Sequence, residues 1–215
     1  MGLQARGYEI AVAGVNQWNG VALISRVGLE DVTVGFADMP GYGEPLAAEA
    51  RAIGATAGGV RIWSLYVPNG RKPDDPHYVY KLDWLSRLRA AATPWLDEET
   101  VPVGDWNICP TDADVFDPAQ FAKSTHVTPP ERAAFPGVPR RRLRRGHPRA
   151  RPGLHLLGLL PPALRARPWA EDRLRARVPR AREAVTGAFI DRDERDPARG
   201  TGSPSDHAPV IVDIA

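Results

Sequence analysis

The chain has little cysteine and no long apolar run, and both absences limit what it can be. Its 215 residues include a single cysteine, Cys109, so a disulfide framework is excluded and a reducing compartment is expected. No apolar stretch reaches the roughly 18 residues that a membrane-spanning helix needs, and the first residues lack the basic-then-apolar pattern of a signal peptide. We therefore expect a cytoplasmic protein, long enough to build a real core.

Acidic residues are scarce in one window of the chain. The formal net charge is only +2, but between Arg140 and Arg182 the only acids are Glu171 and Asp172. Pro, Arg, Ala, Leu and Gly supply most of this window, and neither the helical nor the strand period persists in it. We expect one domain over residues 1–215, in which residues 139–182 are anomalous and poorly ordered.

Outside that window, strand-like apolar runs are interleaved with a helical pattern. Val60–Val67 is the clearest strand, and Tyr78–Ala92 has helical spacing. The shorter strand-like runs are Tyr8–Val12, Gly20–Ser25, Asp31–Phe36, Val101–Gly104 and Val210–Ile214. Strands with helices between them predict an α/β or α+β layered domain.

Three polar motifs each lie at the end of a strand-like run. They are Tyr66-Val67-Pro68-Asn69-Gly70, Gly104-Asp105-Trp106-Asn107 and Ser205-Asp206-His207-Ala208-Pro209. Each motif alone is also typical of an ordinary turn. Sites in layered sheet proteins gather at strand ends, however, so the three motifs together predict a functional site.

The motifs contain a set of metal ligands. Asp105, Asn107 and Asp206 offer the hard oxygens that Mg²⁺ prefers, and His207 lies next to Asp206. Magnesium neutralises phosphate charge and stabilises a leaving oxygen. These four residues are therefore candidate metal ligands of a phosphodiesterase.

The same motifs contain groups that could act on a phosphate ester directly. His207 could orient or activate a water, or bind phosphate as an imidazolium. Tyr66 could hydrogen-bond or protonate an oxygen, and Asn69 could donate an amide N–H to a phosphate oxygen. Asp105 and Asn107 are two positions apart, so on a strand they would share a face.

The sequence resembles the exodeoxyribonuclease III family of the endonuclease/exonuclease/phosphatase superfamily. The resemblance covers residues 8–138 and 183–215, in the family's order. Besides the three motifs, the matching segments are Trp18–Arg26, Lys81–Leu85, Asp114–Pro118, Ser124–Arg132 and Ile190–Arg195.

The resemblance implies a four-layered α/β sandwich, in which two packed mixed sheets are flanked by helices. It implies a monomer that acts on double-stranded DNA with abasic sites or blocked 3′ ends. The implied activities are 3′→5′ exonuclease, 3′-phosphatase and abasic-site cleavage, each dependent on Mg²⁺ or Mn²⁺.

Carried over by position, the resemblance also implies roles for the motif residues. Tyr66 would be the active-site tyrosine and Asn69 a phosphate contact. Asp105 would be the acid/base that aligns or deprotonates the attacking water. Asp206 would be a metal-side carboxylate, and His207 the histidine at the scissile phosphate.

Two segments of the family pattern are missing from this sequence. The chain begins after the region where the family has a strand with an asparagine and then a metal-binding glutamate, so it resembles an N-terminally truncated member. In addition, residues 139–182 contain neither the family's Trp-Asp-Tyr segment nor its Arg-Ile-Asp segment, whose aspartate pairs with the histidine.

A reading-frame error would explain the second gap. The codons CAC-CTA-CTG-GGA-CTA would encode His155 to Leu159, and the adjacent frame of the same bases can encode Trp-Asp-Tyr. We therefore hypothesise that residues 139–182 are frameshifted, which the coding DNA tests. The competing interpretation is a genuine basic insertion that binds DNA phosphates and makes binding steeply salt-dependent.

Two functional alternatives stay open. The chain could be a remnant that does not catalyse, either unfolded or merely binding nucleic acid through its arginines. It could also be a phosphodiesterase or phosphatase of the same superfamily that acts on a substrate other than DNA.

Overall fold

The computed structural model describes residues 2–16, 18–115, 117–135, 154–160, 185–191, 193–196, 198 and 205–214. The helices are α1 (Pro76–Ala91) and α2 (Pro129–Ala134), with short 3₁₀ helices at Gln4–Arg6, Pro94–Asp97, Asp112–Asp114 and Asp193–Arg195. The strands are β1 (Glu9–Asn16), β2 (Asn19–Ser25), β3 (Glu30–Val34), β4 (Ala52–Ala57), β5 (Val60–Tyr66), β6 (Thr100–Asp105), β7 (Leu154–Leu160), β8 (Val185–Ile190) and β9 (Ala208–Ile214).

The strands form three ladders. The central one has the order β3-β4-β5-β6, in which β5 and β6 run parallel and the other pairs run antiparallel. The other two are the antiparallel hairpin β1-β2 and the antiparallel ladder β7-β9-β8. The central sheet is therefore mixed, as predicted for this fold class.

Two hydrophobic layers lie on opposite faces of the central sheet. One joins β4 and β5 to β1, β2 and β9; its buried side chains include Leu23, Ile53, Ile62, Val210 and Val212. The other joins the sheet to α1; its buried side chains include Phe36, Trp63, Leu65, Trp84 and Leu88. This layering confirms the α/β sandwich, although helices make up a small part of the described residues.

Helix α1 begins where the sequence provides a cap. The Asp75 side chain accepts a hydrogen bond from the His77 N–H at 2.8 Å, and Pro76 occupies the first turn, where no backbone donor is needed. Trp84, on the buried face of the helix, is fully inaccessible to solvent. Neither helix in the described ranges is long and apolar enough to cross a membrane.

Strand β4 was not anticipated from the sequence. Its residues, Ala-Ile-Gly-Ala-Thr-Ala, are mostly weak strand formers. The strand is nevertheless central and buried, and a Cβ on Gly54 would stand only 2.8 Å from the Trp63 indole carbons. Gly54 therefore leaves room for a large neighbour, and the tertiary packing outweighs the local preference.

Of the Arg- and Pro-rich residues 139–182, the structure describes only the backbone of β7, which pairs with β9 over Leu154–Leu160. The sequence analysis predicted no strand there. The frameshift hypothesis and the basic-insertion alternative otherwise concern residues outside those described, and both remain predictions.

Candidate active site

The first two motifs meet because their strands are parallel neighbours. Tyr66, the last residue of β5, pairs in register with Asp105, the last residue of β6. The next backbone N–H, that of Val67, donates to the Asp105 carbonyl at 2.9 Å. Since parallel strands end at the same edge of a sheet, the two motifs leave the sheet side by side.

Gly104 gives Asp105 its position. Its φ is +127°, a conformation that side chains rarely allow, and a Cβ there would lie 2.0 Å from the Leu65 carbonyl oxygen. Any other residue would push β6 away from β5. The glycine of the Gly-Asp-Trp-Asn motif is thus explained by close strand contact next to the carboxylate.

Asn107 links the first two motifs through hydrogen bonds. Its backbone N–H donates to Asp105 Oδ1 at 2.9 Å, and its side-chain Nδ2 donates to Asp105 Oδ2 at 3.2 Å and to the Val67 carbonyl at 2.8 Å. Its Oδ1 accepts a hydrogen bond from Asn69 Nδ2 at 3.3 Å. Asn107 itself is buried and left-handed, with φ of 47°, a backbone conformation that asparagine adopts more readily than most non-glycine residues.

The third motif acts on the same carboxylate. Burial raises the pKa of Asp105 above its usual value, while the Asn107 N–H and the positive charges of His207 and Lys81 oppose that rise and Asp206 adds to it. Asp206 and His207 therefore lie close enough to Asp105 for their charges to be felt. Strand register and hydrogen bonds bring Tyr66, Asn69, Asp105 and Asn107 together, and the electrostatic influence of Asp206 and His207 on the pKa of Asp105 indicates that the third motif lies near them. The catalytic roles of all six residues stay predictions.

The Asp206–His207 pair is held less firmly than the other two motifs. Asp206 Oδ1 is 3.8 Å from His207 Nε2, and the Asp206 side chain is 66% exposed. His207 Nδ1 is buried and has no hydrogen-bond partner among the described residues. This orphaned nitrogen is the position where the sequence resemblance called for an aspartate partner.

A buried ion pair lies beneath the first two motifs. Lys81 Nζ, on α1, is 2.5 Å from Glu131 Oε1, on α2, and both side chains are fully inaccessible. The same Nζ donates to the backbone carbonyls of Asn69 at 3.2 Å and Asn107 at 2.6 Å. One ammonium group thereby ties both motif loops to the two helices.

Glu131 is stabilised as a carboxylate by its neighbours. Burial alone would raise its pKa, but Lys81 and the hydrogen bonds from His126 and Thr128 hold it below the ordinary value. Its Oε1 accepts the His126 backbone N–H at 2.8 Å, and its Oε2 accepts the Thr128 backbone N–H at 3.0 Å. The latter contact is half of the capping box that begins α2.

His126 is a member of the site that the sequence analysis did not name. Its Nε2 lies 2.9 Å from Asn107 Oδ1 and 3.3 Å from Asn69 Nδ2, and burial lowers its pKa. The available signal was that it belongs to the family-like segment Ser124–Arg132. Its contacts with residues 19 and 57 positions away could not be inferred from the sequence alone.

Tyr66 contacts Arg51, a second residue near the site that could not be identified from the sequence. The Arg51 guanidinium lies 5.0 Å from the centre of the Tyr66 ring, and Arg51 Nη1 donates to the Tyr66 carbonyl at 3.4 Å. Glu49 binds Arg51 at 2.6 Å. Burial would raise the pKa of Glu49, but the arginine outweighs it and lowers the pKa, so the buried arginine has a charged partner.

The residues present suit a magnesium ion by their chemistry. Among the described residues, no group of three or more His, Cys, Asp or Glu side chains is arranged to hold a metal. Magnesium, however, commonly takes one or two protein carboxylates and keeps several waters. Asp206, whose side chain is exposed, would hold it. Of the other predicted ligands, Asp105 has both oxygens bound by N–H groups of Asn107, and Asn107 Oδ1 already faces two donor nitrogens.

Solved structures share this fold over nearly the whole chain. A 3′ phosphatase from Neisseria, bound to a product DNA hairpin, has a TM-score of 0.71 and 26% identity, and the match covers 99% of this chain and 81% of that one. A 3′-5′ exonuclease from Neisseria meningitidis has a TM-score of 0.70, with the same identity and coverage. An AP endonuclease from Archaeoglobus fulgidus has a TM-score of 0.70 and 23% identity, over 98% of this chain and 80% of that one.

The last of these similarities, at 23% identity, bears on the fold alone. No family profile matches the chain, and no curated protein matches it significantly.

Proposed function

We propose that this chain, whose fold is that of the exodeoxyribonuclease III family in the endonuclease/exonuclease/phosphatase superfamily, hydrolyses phosphoesters of DNA. The structural similarity over 99% of the chain confirms the resemblance that the motifs predicted. The coarse function is that of a nuclease or phosphodiesterase of this superfamily. The finer activities that we propose are 3′→5′ exonuclease, 3′-phosphatase and abasic-site cleavage of double-stranded DNA.

The observation that carries the proposal is the meeting of three motifs around one half-buried carboxylate, that of Asp105. Tyr66 and Asp105 are adjacent by strand register, and the Asn107 side chain binds Asp105. His207 and Asp206 act on the same carboxylate through their charges. An ordinary turn at each strand end would not require these separate segments to converge.

Asp105 is the group best placed to accept a proton from an attacking water. Two N–H groups of Asn107 hold its two oxygens, which fixes the direction of the carboxylate. A carboxylate whose pKa is raised by partial burial is a stronger base than a fully exposed one, so Asp105 suits proton abstraction. We assign Asp105 the role of general base.

Asn69 and Tyr66 face the substrate side of the proposed site. Asn69 is exposed, and its Oδ1 accepts the Arg71 backbone N–H at 3.0 Å, so its amide nitrogen is directed elsewhere. That nitrogen can donate to a phosphate oxygen while it also contacts Asn107. Tyr66, braced by Arg51, would hydrogen-bond or protonate an ester oxygen.

His207 and Asp206 complete the proposed site. Asp206, whose side chain is exposed, would hold a divalent ion, and such an ion neutralises phosphate charge and stabilises the leaving oxygen. His207 would donate to a non-bridging phosphate oxygen through Nε2, because its other ring nitrogen, Nδ1, is buried. The cytoplasmic location and the monomeric state remain predictions.

Cleavage of a duplex with one abasic site tests the proposal, with a 3′-phosphate duplex as the second substrate. We expect cutting with Mg²⁺ and none with chelator. Asp105→Asn should lower kcat by about 10² to 10⁴, as for loss of a general base. Asp83→Asn, at an exposed position on α1, is the matched control and should retain full activity.

The alternatives predict different outcomes in the same assay. A remnant that only binds DNA would show salt-sensitive binding without cutting, with or without metal. An enzyme for another substrate would hydrolyse a small phosphoester but neither duplex. Equal activity of the Asp105→Asn and Asp83→Asn variants would rule out the assigned base.

A further inference from the structure

We propose that His126 is a positioning residue that fixes the side-chain amide of Asn107 and, through it, the carboxylate of Asp105. Asn107 lies between the two, since Asn107 Oδ1 faces His126 Nε2 while Asn107 Nδ2 faces Asp105 Oδ2. The inference rests on the proposed function, because it concerns the alignment of the assigned general base.

The direction of the Asn107 amide follows from an obligatory acceptor. A backbone carbonyl can only accept, so the end of the amide that is 2.8 Å from the Val67 oxygen must be the NH₂ end. The opposite end, which faces His126 and Asn69, is therefore the oxygen. The Val67 carbonyl alone therefore assigns the two ends of the amide.

The tautomer of His126 follows from the direction of that amide. Asn107 Oδ1 can only accept, so His126 Nε2 must carry the hydrogen at 2.9 Å. His126 Nδ1 is then the acceptor in the neutral ring, and the Thr125 hydroxyl 3.0 Å away donates to it. Thr125 is almost completely buried, so its hydroxyl donates to His126 away from the solvent surface.

The backbone around His126 holds the ring in place. Its N–H donates to Glu131 Oε1 at 2.8 Å, and its carbonyl accepts the Cys109 N–H at 2.7 Å. Its φ of 79° is a left-handed value that a non-glycine residue adopts only when its surroundings impose it. These two backbone hydrogen bonds and the left-handed conformation together hold the imidazole against Asn107.

Loss of the imidazole would remove one of the two donors that hold the oxygen of the Asn107 amide. Its oxygen would keep only the Asn69 contact at 3.3 Å, and Asn69 is itself exposed. The NH₂ end would keep the Val67 carbonyl at 2.8 Å, but the amide could tilt about that contact and so displace the N–H that holds Asp105 Oδ2. Small errors in the placement of a catalytic group lower the rate of the chemical step more than substrate binding.

Two substitutions at His126 distinguish the effect of its N–H donor from the effect of its ring. His126→Leu removes the donor and should lower kcat about tenfold to a hundredfold, with KM within about twofold of the wild type. His126→Gln returns an N–H near the Nε2 position and should restore kcat to within about threefold. Equal loss in both variants, or a rise in KM with kcat unchanged, would overturn the proposal.

A double-substitution cycle tests whether His126 acts through Asn107. In an Asn107→Leu background, His126→Leu should cost less than twofold further in kcat, because the contact is already gone. A full additional loss would mean that His126 acts by another route, which contradicts the inference. Thermal unfolding of each variant identifies any that fails to fold.

A measurement without substrate keeps this inference separate from the proposed function. Nitrogen-15 NMR of the wild-type imidazoles should show His126 as the Nε2–H tautomer, and Thr125→Val should weaken that preference. If the wild type cuts no substrate, the proposed function fails while the tautomer still decides whether His126 orients Asn107. A hydrogen on Nδ1 would refute the orienting role even in an active enzyme.

Discussion

The two halves of the candidate site differ in how firmly they are held. The β5–β6 half, comprising Tyr66, Asn69, Asp105 and Asn107, is fixed by strand register, hydrogen bonds and a buried ammonium group. In the β9 half, Asp206 Oδ1 and His207 Nε2 are 3.8 Å apart, and His207 Nδ1 has no hydrogen-bond partner among the described residues. Substitutions in the β5–β6 half should therefore change the stability of the fold, whereas substitutions in the β9 half should change it little.

Lys81→Met should break the better-held half and have the largest effect. The variant leaves Glu131 as a buried carboxylate without its cation, which typically costs about 3–5 kcal/mol. Urea denaturation measures the loss, and Lys72→Met, at an exposed pair, should change the free energy of unfolding by less than about 0.5 kcal/mol.

A second variant guards the Lys81 result against simple failure to fold. Replacing both partners, Lys81→Met with Glu131→Leu, removes both buried charges and should recover much of the lost stability. If the single and double variants are equally unstable, the packing of the two helices, and not the ion pair, holds this half together.

Acidification should also reduce the stability of the β5–β6 half, gradually as the pH falls. The pKa of Glu131 is lowered in the folded chain, so the unfolded chain binds the proton more tightly. The stability that Glu131 contributes is therefore present above its unfolded pKa, about 4.3, and is lost as pH falls through the lower folded value.

Urea denaturation between pH 7 and pH 3 measures this acid effect. In Glu131→Gln, the free energy of unfolding should fall less steeply with decreasing pH than in the wild type, which gives a flatter acid limb of the stability curve. A limb of unchanged steepness in the variant would assign the acid sensitivity to other carboxylates, such as Glu49, whose pKa is also lowered.

The smallest effect is expected in the β9 half. His207→Leu removes a buried nitrogen that has no partner among the described residues, so it should leave the free energy of unfolding within about 0.5 kcal/mol of the wild type or raise it. Thermal unfolding and the abasic-site assay together check the point. A loss of stability comparable to that of Lys81→Met would show that this half is held as firmly as the other.

The sequence predicted the elements better than the contacts between them. Strand β5 and helix α1 are visible because their apolar spacing is strong and Pro-Asn-Gly or Asp-Pro marks their ends. Strand β4 was missed because Ala and Gly favour no strand on their own, and its burial comes from neighbours distant in sequence.

The candidate site follows the same division. Tyr66 and Asp105 could be predicted because each ends a strand-like run. Lys81 could not, because a lysine on a helix ordinarily faces solvent and only the tertiary fold supplies its three acceptors. His126 was equally hidden, since its left-handed backbone and its partner Asn107 are products of the whole fold.

The buried ammonium of Lys81 also has a consequence for the order in which the molecule forms. Its three acceptors belong to residues 12, 26 and 50 positions away along the chain. Contacts of such separation require the intervening loops to close, so they exist only once the tertiary fold has brought the two helices and the two motif loops together. A half-folded chain therefore has no assembled site, and any cutting activity would arise only together with the complete native structure.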